Sequence, residues 1–270
     1  MGVCKICGKY KSLSFEHVPP QSSFNDEKVK IIQGDEALRS LTRTEKNPWE
    51  LDGLKWKQQQ LGKGGYFLCE SCNSATGSWY IPEYDRFVNI IYSAYLKAIR
   101  KRREQEEQDN IIGSIMITGI KDIHPLPIFK QIITMFCDVD LNCCMGDDAL
   151  KEFLLNKTSK NFNKNKYHVY AHIHSGAVER MNGIGDISSF VDGQIKTIYK
   201  ISEISVFPIG FTLYIDKPDW FEPEGVDITG FSDYDYETTC NIDKLIIPIL
   251  ECNSVISGNY STKEEIIANS

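Results

Sequence analysis

Four cysteines stand in two pairs of the same C-x-x-C spacing. Cys4 and Cys7 lie near the amino terminus, and Cys69 and Cys72 form the second pair. Two thiolates separated by two residues can bind one ion from a single tight turn, and two such turns supply the four sulfurs of a tetrahedral zinc site. We therefore predict a structural zinc here. A redox pair is the alternative, but a thioredoxin-like motif needs a βαβ context that the Cys4 region lacks.

Three further side chains near these pairs have the chemistry of a hydrolytic site. Glu16 and His17 lie within residues 14–20, and Asn73 directly follows the second cysteine pair. A neutral imidazole can take a proton from an attacking water, and carboxylate and amide oxygens suit Mg²⁺ or Mn²⁺. Because neighbours in a strand point to opposite faces, we expect Glu16 to face a cation and His17 to face the attacking water.

The order of these residues resembles the His-Asn-His (HNH) endonucleases of the ββα-metal group, in their cysteine-bearing branch. There, one C-x-x-C precedes an acidic-His-aliphatic-x-Pro segment, and a second C-x-x-C is followed at once by His or Asn and then by a helix. Glu16-His17-Val18 with Pro20, and Cys72 with Asn73, match that order within residues 1–80. The chain departs from the family in having Gly64 and Gly65 where the middle Asn is usual.

The resemblance implies a zinc-stapled ββα-metal fold of treble-clef-like form. It also implies catalytic roles for His17, Glu16 and Asn73, with a catalytic Mg²⁺ or Mn²⁺ bound by Glu16 and Asn73. DNA would be the substrate, in restriction or anti-phage defence. These expectations extend only over residues 1–80 and leave the rest of the chain without an assignment.

A basic cluster follows further along the chain. A helix is predicted to begin near Glu83, because Gly77 and Pro82 interrupt the preceding run, and five cations lie at its end. The cluster consists of Lys97, Arg100, Lys101, Arg102 and Arg103. Cations at the carboxyl end of a helix are favourable as a solvated tail. The competing interpretation, which gives nucleic-acid-binding candidates, is that they contact phosphates beside the nuclease site.

Charge divides the 270-residue chain, whose net charge is −7, into two unlike parts. Residues 1–110 carry 17 Lys and Arg against 15 Asp and Glu, whereas residues 111–270 carry 13 against 22. We predict a nuclease domain at residues 1–108 and an accessory α+β domain at residues 109–270, with a mainly antiparallel sheet. The acidic second domain would serve recognition, regulation, homo-oligomerisation or binding of a protein partner.

A second group of histidines lies in the predicted strand at residues 167–174. His168, His172 and His174 share one face of this strand, a spacing that could bind a metal. No carboxylate pattern accompanies them, so we interpret them as histidines on an exposed strand face.

The composition favours a protein of the cytoplasm. No apolar run approaches the roughly 20 residues that span a bilayer, so no membrane partner is expected. The first residues do not resemble a signal peptide. Five cysteines lie outside the two pairs, and a reducing compartment would keep them as free thiols. These are Cys137, Cys143, Cys144, Cys240 and Cys252.

Together these features predict a metal-dependent HNH-type endonuclease that hydrolyses nucleic-acid phosphodiesters. The alternative is a zinc-held module that binds nucleic acid or protein without cleaving it. A third hypothesis is an adaptor whose acidic second domain contacts a partner protein.

Overall fold

The computed structural model describes residues 1–34, 36, 53–104, 113–139, 146–174, 179–191 and 194–250. The boundary predicted at residue 108 lies outside these ranges. Cys143, Cys144 and Cys252 also lie outside them, so their predicted state as free thiols stays a prediction.

Short antiparallel strand pairs build the amino-terminal part. Polar turns and prolines limit each strand to a few residues, and the hairpin that carries Glu16 and His17 joins segments far apart in sequence. The three pairs are β1 (Gly2–Val3) with β2 (Tyr10–Lys11), β3 (Leu13–His17) with β6 (Gly64–Cys69), and β4 (Val29–Ile32) with β5 (Trp56–Gln59).

The helix α1 (Glu70–Glu104) follows β6 without a loop. The predicted start near Glu83 is therefore wrong, because the helix runs through Pro82. A proline inside a helix costs about 3 kcal/mol. Burying Tyr80, Tyr84 and Phe87 on one side of the helix offsets this cost, since each large side chain contributes roughly 1.5–3 kcal/mol. Across the described residues, no helix is both long enough and apolar enough to cross a membrane.

The carboxy-terminal part is an α+β arrangement with a mainly antiparallel sheet, as predicted. The strand order is β7-β13-β8-β11-β10-β9, and among the described strands only β8 and β13 pair in parallel. The strands are β7 (Gly113–Ile123), β8 (Tyr167–His174), β9 (Arg180–Val191), β10 (Gln194–Ser205), β11 (Ile209–Ile215), β12 (Val226–Asp227), which also pairs with β8, and β13 (Cys240–Leu250). The helices are α2 (Pro125–Val139), α3 (Asp148–Leu155) and a 3-10 turn (Thr229–Asp233).

Most of the buried apolar side chains of both parts form one cluster, and Tyr199, Ile201 and Tyr214 form a second, smaller one. Leu68 and Phe87 from the amino-terminal part belong to it, together with Ile133 of α2 and Phe211 of β11. The Tyr84 ring lies 6.2 Å from that of Phe211, centroid to centroid. The hairpin and α1 therefore rest on the layer that contains α2 and the sheet, while the division into two domains stays a prediction.

The remaining described cysteines differ in redox state. Cys240 is a free thiol. Cys137, in α2, is disulfide-bonded, so the prediction of a free thiol is wrong at this position.

Candidate metal centre and hydrolytic site

The four predicted zinc ligands meet at one place. The potential ligand atoms of Cys4, Cys7, Cys69 and Cys72 all lie within 4.8 Å of one another. The Sγ atoms of Cys7 and Cys69 are 3.9 Å apart. This is a closed set of four sulfur donors that could hold a zinc ion.

Two local structures present these sulfurs. The first pair lies in a turn in which the Gly8 amide donates to the Cys4 carbonyl at 2.9 Å, and Gly8 adopts a φ of 70° that a residue with a side chain rarely reaches. The second pair lies where β6 ends at Cys69 and α1 begins. The strand-to-helix junction thus faces the turn, and a metal ion between them would fix the hairpin against the amino terminus.

The thiols of Cys4 and Cys72 influence each other's protonation. A hydrogen bond with Cys72 lowers the pKa of Cys4 to about 4, and the same bond raises the pKa of Cys72 together with burial. The Cys4 thiolate is therefore stabilised by a proton of the neighbouring Cys72 thiol. A zinc ion bound by these sulfurs would displace such protons.

The hairpin of β3 and β6 determines where Glu16 and His17 point. His17 pairs with Gly64 and Glu16 with Gly65, after a bulge between Ser14 and Phe15. A Cβ atom at Gly64 would lie 2.1 Å from the Glu16 carbonyl oxygen, and one at Gly65 would lie 2.4 Å from the Phe67 ring. Close packing against the backbone therefore requires glycine at position 64, whereas a side chain at position 65 would have to displace the Phe67 ring.

His17 is half-buried and oriented by the backbone. Its Nε2 atom lies 2.8 Å from the Leu61 carbonyl oxygen. A carbonyl can only accept, so Nε2 is the donor, and a neutral ring then has its lone pair on Nδ1. The Phe15 ring packs edge-on at 5.0 Å between centroids. This tautomer leaves Nδ1 able to accept a proton from water.

Asn25, which the sequence analysis did not select, holds the loop beside His17. Its side chain is buried, donates to the carbonyls of Pro19 at 2.6 Å and Lys63 at 2.8 Å, and accepts from the Lys63 amide at 2.6 Å. The Val18 amide also donates to the Lys63 carbonyl at 3.0 Å. One amide side chain thus connects both segments that flank the histidine. A single Asn in a polar loop gives no sequence signal for such a role.

Glu16 and Asn73 come together on the side of β3 away from His17. Glu16 is 7% exposed, and burial raises its pKa to about 7, against a hydrogen bond from Asn73 that lowers it. The Asn73 Nδ2 atom also donates to Ser14 Oγ at 3.0 Å. A buried carboxyl beside an amide is a set of hard oxygen donors that fits Mg²⁺ or Mn²⁺, because a divalent cation can replace the proton.

The basic cluster lies along α1 and away from the hairpin. Lys97 and Lys101, together with Lys121, line a groove of about 960 Å³ between α1 and β7. Arg86 closes one end by donating to the Lys121 carbonyl at 3.1 Å. At 1.5 Å per residue, Lys97 lies about 36 Å along the helix axis from Asn73. Lys97 and Lys101 are therefore not adjacent to Glu16, His17 and Asn73.

The other members of the predicted cluster are placed differently. Arg100 lines a second depression near the end of α1, outside the groove, and Arg102 and Arg103 belong to the last turn of the same helix. The assignment of the five cations to nucleic-acid binding stays a prediction.

Two of the three strand histidines are buried, so the interpretation as an exposed face is wrong for His172 and His174, whereas His168 is half-buried. His172 and His174 are fully buried. His172 Nε2 lies 2.9 Å from Ser205 Oγ, and Ser205 donates to the Glu203 carboxylate. A Cβ atom at Gly210, on the strand between them, would lie 2.3 Å from His172 Nε2. Burial lowers the pKa of His172 to about 4, so this ring stays neutral and structural.

Three kinds of comparison with known proteins give no relative. The chain matches no family model, no curated protein and no solved structure. The assignment of a function therefore rests on the residues and geometry described above.

Proposed function

We propose that the chain is a metal-dependent endonuclease of the HNH type, acting on nucleic-acid phosphodiesters and on DNA in particular. One observation carries the proposal. A half-buried histidine with an available Nδ1 lone pair, and a carboxyl-amide pair, lie on opposite sides of one strand in a hairpin that four cysteines can fix with zinc. The hairpin followed directly by α1 supports assignment to the ββα-metal, treble-clef-like arrangement.

Each residue then has a distinct duty. His17 Nδ1 takes the proton of the attacking water, while the Leu61 carbonyl keeps the ring in the tautomer that can do so. Glu16 and Asn73 would hold Mg²⁺ or Mn²⁺, and the cation would supply charge stabilisation to the phosphate and the leaving oxygen. Asn25 keeps the residues on both sides of His17 in place, and so acts as a positioning residue.

Nucleic acid would also contact the basic residues of α1. Lys97 and Lys101 face a groove in which none of the described lining residues is acidic, and this is a favourable surface for phosphates. We assign restriction or anti-phage defence as the cellular role. The acidic carboxy-terminal part would supply recognition, regulation or oligomerisation.

A zinc-held binding module without catalysis is the second candidate. It is favoured by the low exposure of Glu16, whose carboxyl already has a hydrogen bond from Asn73. In that case the hairpin is a scaffold, and the basic groove is the functional surface.

Plasmid nicking separates these two candidates. Zinc-loaded full-length protein is incubated with supercoiled DNA and Mg²⁺, Mn²⁺ or EDTA, and DNA affinity is measured in parallel. Nicking that depends on the divalent cation supports the nuclease. DNA binding without nicking of DNA or RNA under any of these conditions supports the binding module and overturns the proposal. Plating efficiency of phage on cells that express the protein tests the defence role.

A further inference from the structure

Residues 61–64 hold His17 from the opposite side of its hairpin. The Leu61 carbonyl accepts from His17 Nε2 at 2.8 Å, and the Lys63 carbonyl accepts from the Val18 amide, next in the chain, at 3.0 Å. Both contacts are made by backbone atoms of residues 61–64, so they persist only while this segment stays in place. The orientation of the His17 ring therefore depends on what fixes residues 61–64.

The Lys63 side chain ties this segment to the carboxy-terminal part. Its ammonium group donates to Glu179 Oε2 at 2.7 Å, across 116 positions of the chain. Glu179 directly precedes β9, and its other carboxylate oxygen, Oε1, accepts from the Phe207 amide at 3.1 Å. Phe207 lies in the turn between β10 and β11. One carboxylate thus joins the sheet to the segment that holds His17.

The turn that contains Phe207 is packed against α1. The Phe207 ring lies 5.8 Å from the ring of Tyr92 and 5.4 Å from that of Tyr95, centroid to centroid, and both tyrosines belong to α1. Edge-on aromatic pairs of this kind add stabilisation beyond the area that they bury. The Phe207 amide therefore has a fixed position from which Glu179 can orient Lys63.

Burial makes this ion pair more sensitive to substitution than an ion pair at the surface. The Lys63 and Glu179 side chains are 10% and 28% exposed, whereas those of Lys164 and Asp233, which approach to 2.6 Å, are 46% and 58% exposed. Water and salt screen an exposed pair, but removing one partner of a shielded pair leaves a charge without compensation. Loss of the Glu179 carboxylate should therefore move Lys63, and residues 61–64 with it.

We propose that Glu179 is a positioning residue for His17, through which the carboxy-terminal sheet controls the orientation of the general base. This inference rests on the proposed function. Glu179 acts on the ring through Lys63, which belongs to the same short segment as the Leu61 carbonyl. A displacement of β9 or of the turn at Phe207 would be transmitted to the hydrolytic site by this carboxylate.

The tautomer of His17 tests the assignment without measuring cleavage. Zinc-loaded, full-length wild type and Glu179→Gln are labelled with a heavy nitrogen isotope, and the ring nitrogens of His17 are followed by nuclear magnetic resonance at a pH where the ring is neutral. We expect a single tautomer with the proton on Nε2 in the wild type, and a mixture of both tautomers in the variant. Glutamine replaces one carboxylate oxygen by an NH₂ group, which then faces a donor, either Lys63 or the Phe207 amide.

Asp233→Asn is the matched control, because it breaks an ion pair of similar length between exposed side chains. This variant should keep the single tautomer of the wild type. Ring signals of His17 that are identical in Glu179→Gln and in the wild type overturn the inference.

A double-mutant cycle separates positioning from loss of substrate binding. Glu179→Gln and Lys63→Met should each lower kcat by about tenfold or more, while KM for DNA and zinc content stay at the wild-type level. The double variant should lose no more activity than either single variant, because both substitutions remove the same interaction. Losses that multiply in the double variant contradict the inference.

Native-state hydrogen exchange of the wild type covers the case in which these variants do not fold. The Val18 and Phe207 amides should open with the same free energy, because their acceptors belong to one connected unit. A Phe207 amide that opens far more readily than that of Val18 shows that residues 61–64 are held without the sheet, and overturns the inference.

Failure of the nuclease proposal remains distinguishable from failure of this inference. If the wild type cleaves no substrate, while Glu179→Gln still changes the His17 tautomer, the connection between the sheet and the hairpin stands and the enzyme does not.

Discussion

The hairpin and the sheet each carry a histidine with a nearby carboxyl, and the two groups differ in what encloses them. His17 Nε2 lies 2.8 Å from a backbone carbonyl, and His172 Nε2 lies 2.9 Å from a serine hydroxyl. The His17 ring is half-buried at a loop, whereas the His172 ring is completely buried and its Nδ1 atom has no partner among the described residues. Similar hydrogen bonds therefore occur in different surroundings, and we base the different roles that we propose for the two rings on their access to solvent.

The largest effect is expected from removing the zinc ligands, because the hairpin that carries His17 would then lose the metal ion that fixes it. Cys69→Ser/Cys72→Ser removes two of four sulfurs, and structural zinc typically contributes on the order of 10 kcal/mol to folding. We expect zinc content to fall from about one per chain to near zero, with loss of cleavage. Elemental analysis measures this, and Cys240→Ser is the control because Cys240 is a free thiol outside the cluster. Retention of zinc by the double variant would remove the site from this position.

Substitution of His17 should lower cleavage activity, whereas substitution of His172 should lower stability. His17→Ala should lower cleavage by about 10²-fold or more while zinc content and folding persist, as expected for a positioned general base. His172→Ala should lower the free energy of unfolding by about 2–4 kcal/mol, because it leaves a cavity and an unsatisfied Ser205-Glu203 pair, with cleavage per folded molecule unchanged. Denaturant titration and initial rates measure these effects. Equal loss of activity in the two variants contradicts the comparison.

Excess metal should partly restore cleavage by an Asn73 variant, whereas it should not restore cleavage by a His17 variant. Asn73→Ala removes one cation ligand, so we expect the Mn²⁺ concentration for half-maximal cleavage to rise by about tenfold, with partial rescue at excess metal. Asn89→Ala, on the exposed side of the same helix, is the control. Rescue of His17→Ala by excess metal would count against the separate duties assigned to the two residues.

The pH dependence of stability should have opposite signs in the two groups. Burial raises the pKa of Glu16 to about 7, so its contribution to stability is present below about pH 4.5 and is lost as the pH rises through 7. Burial lowers the pKa of His172 to about 4, so its contribution is present above about pH 6.5 and is lost as the pH falls through 4. Each amounts to at most about 3 kcal/mol.

Denaturant titration of zinc-loaded protein without other divalent cations, from pH 4 to 8, measures both effects. Glu16→Gln should remove the loss of stability at the upper end, and His172→Gln should remove the loss at the lower end. Unchanged pH profiles in these variants would refute the corresponding assignments.

The smallest effect is expected in the groove beside α1. Lys97→Glu should weaken DNA binding by several-fold and reduce the slope of log affinity against log salt by about one, as for the loss of one phosphate contact. Lys196→Glu makes the same charge change at an exposed position of β10 and should have little effect. Identical behaviour of these two variants would show that the groove does not bind nucleic acid.

Local chemistry could be predicted from the sequence because its determinants are close in the chain. The C-x-x-C turns, the strand at residues 13–17 and the strand at residues 167–174 depend on spacing and alternation over a few residues. Longer-range features could not be predicted. Asn25 acts through Lys63, which lies 38 residues further along the chain.

Two wrong predictions have the same physical origin. The local preference of Pro82 to end a helix is outweighed by burial of the tyrosines around it. The alternation of polar residues in β8 predicted an exposed face. Tertiary packing covers that face at His172, whose ring is hydrogen-bonded to Ser205. In both cases the burial that decides the outcome comes from segments remote in sequence.

The orientation of His17 also affects which substitutions the chain can tolerate. Its hydrogen bond ends on a backbone oxygen, so any amino acid at position 61 can supply the acceptor, and the 61% exposed Leu61 side chain is free to vary. The restriction falls on Gly62, whose φ is 74° and where a Cβ atom would lie 1.9 Å from the Asn25 carbonyl oxygen. Substitution in this loop is therefore limited by the path of the backbone at Gly62, whereas the side chain at position 61 can change without loss of the hydrogen bond that orients the His17 ring.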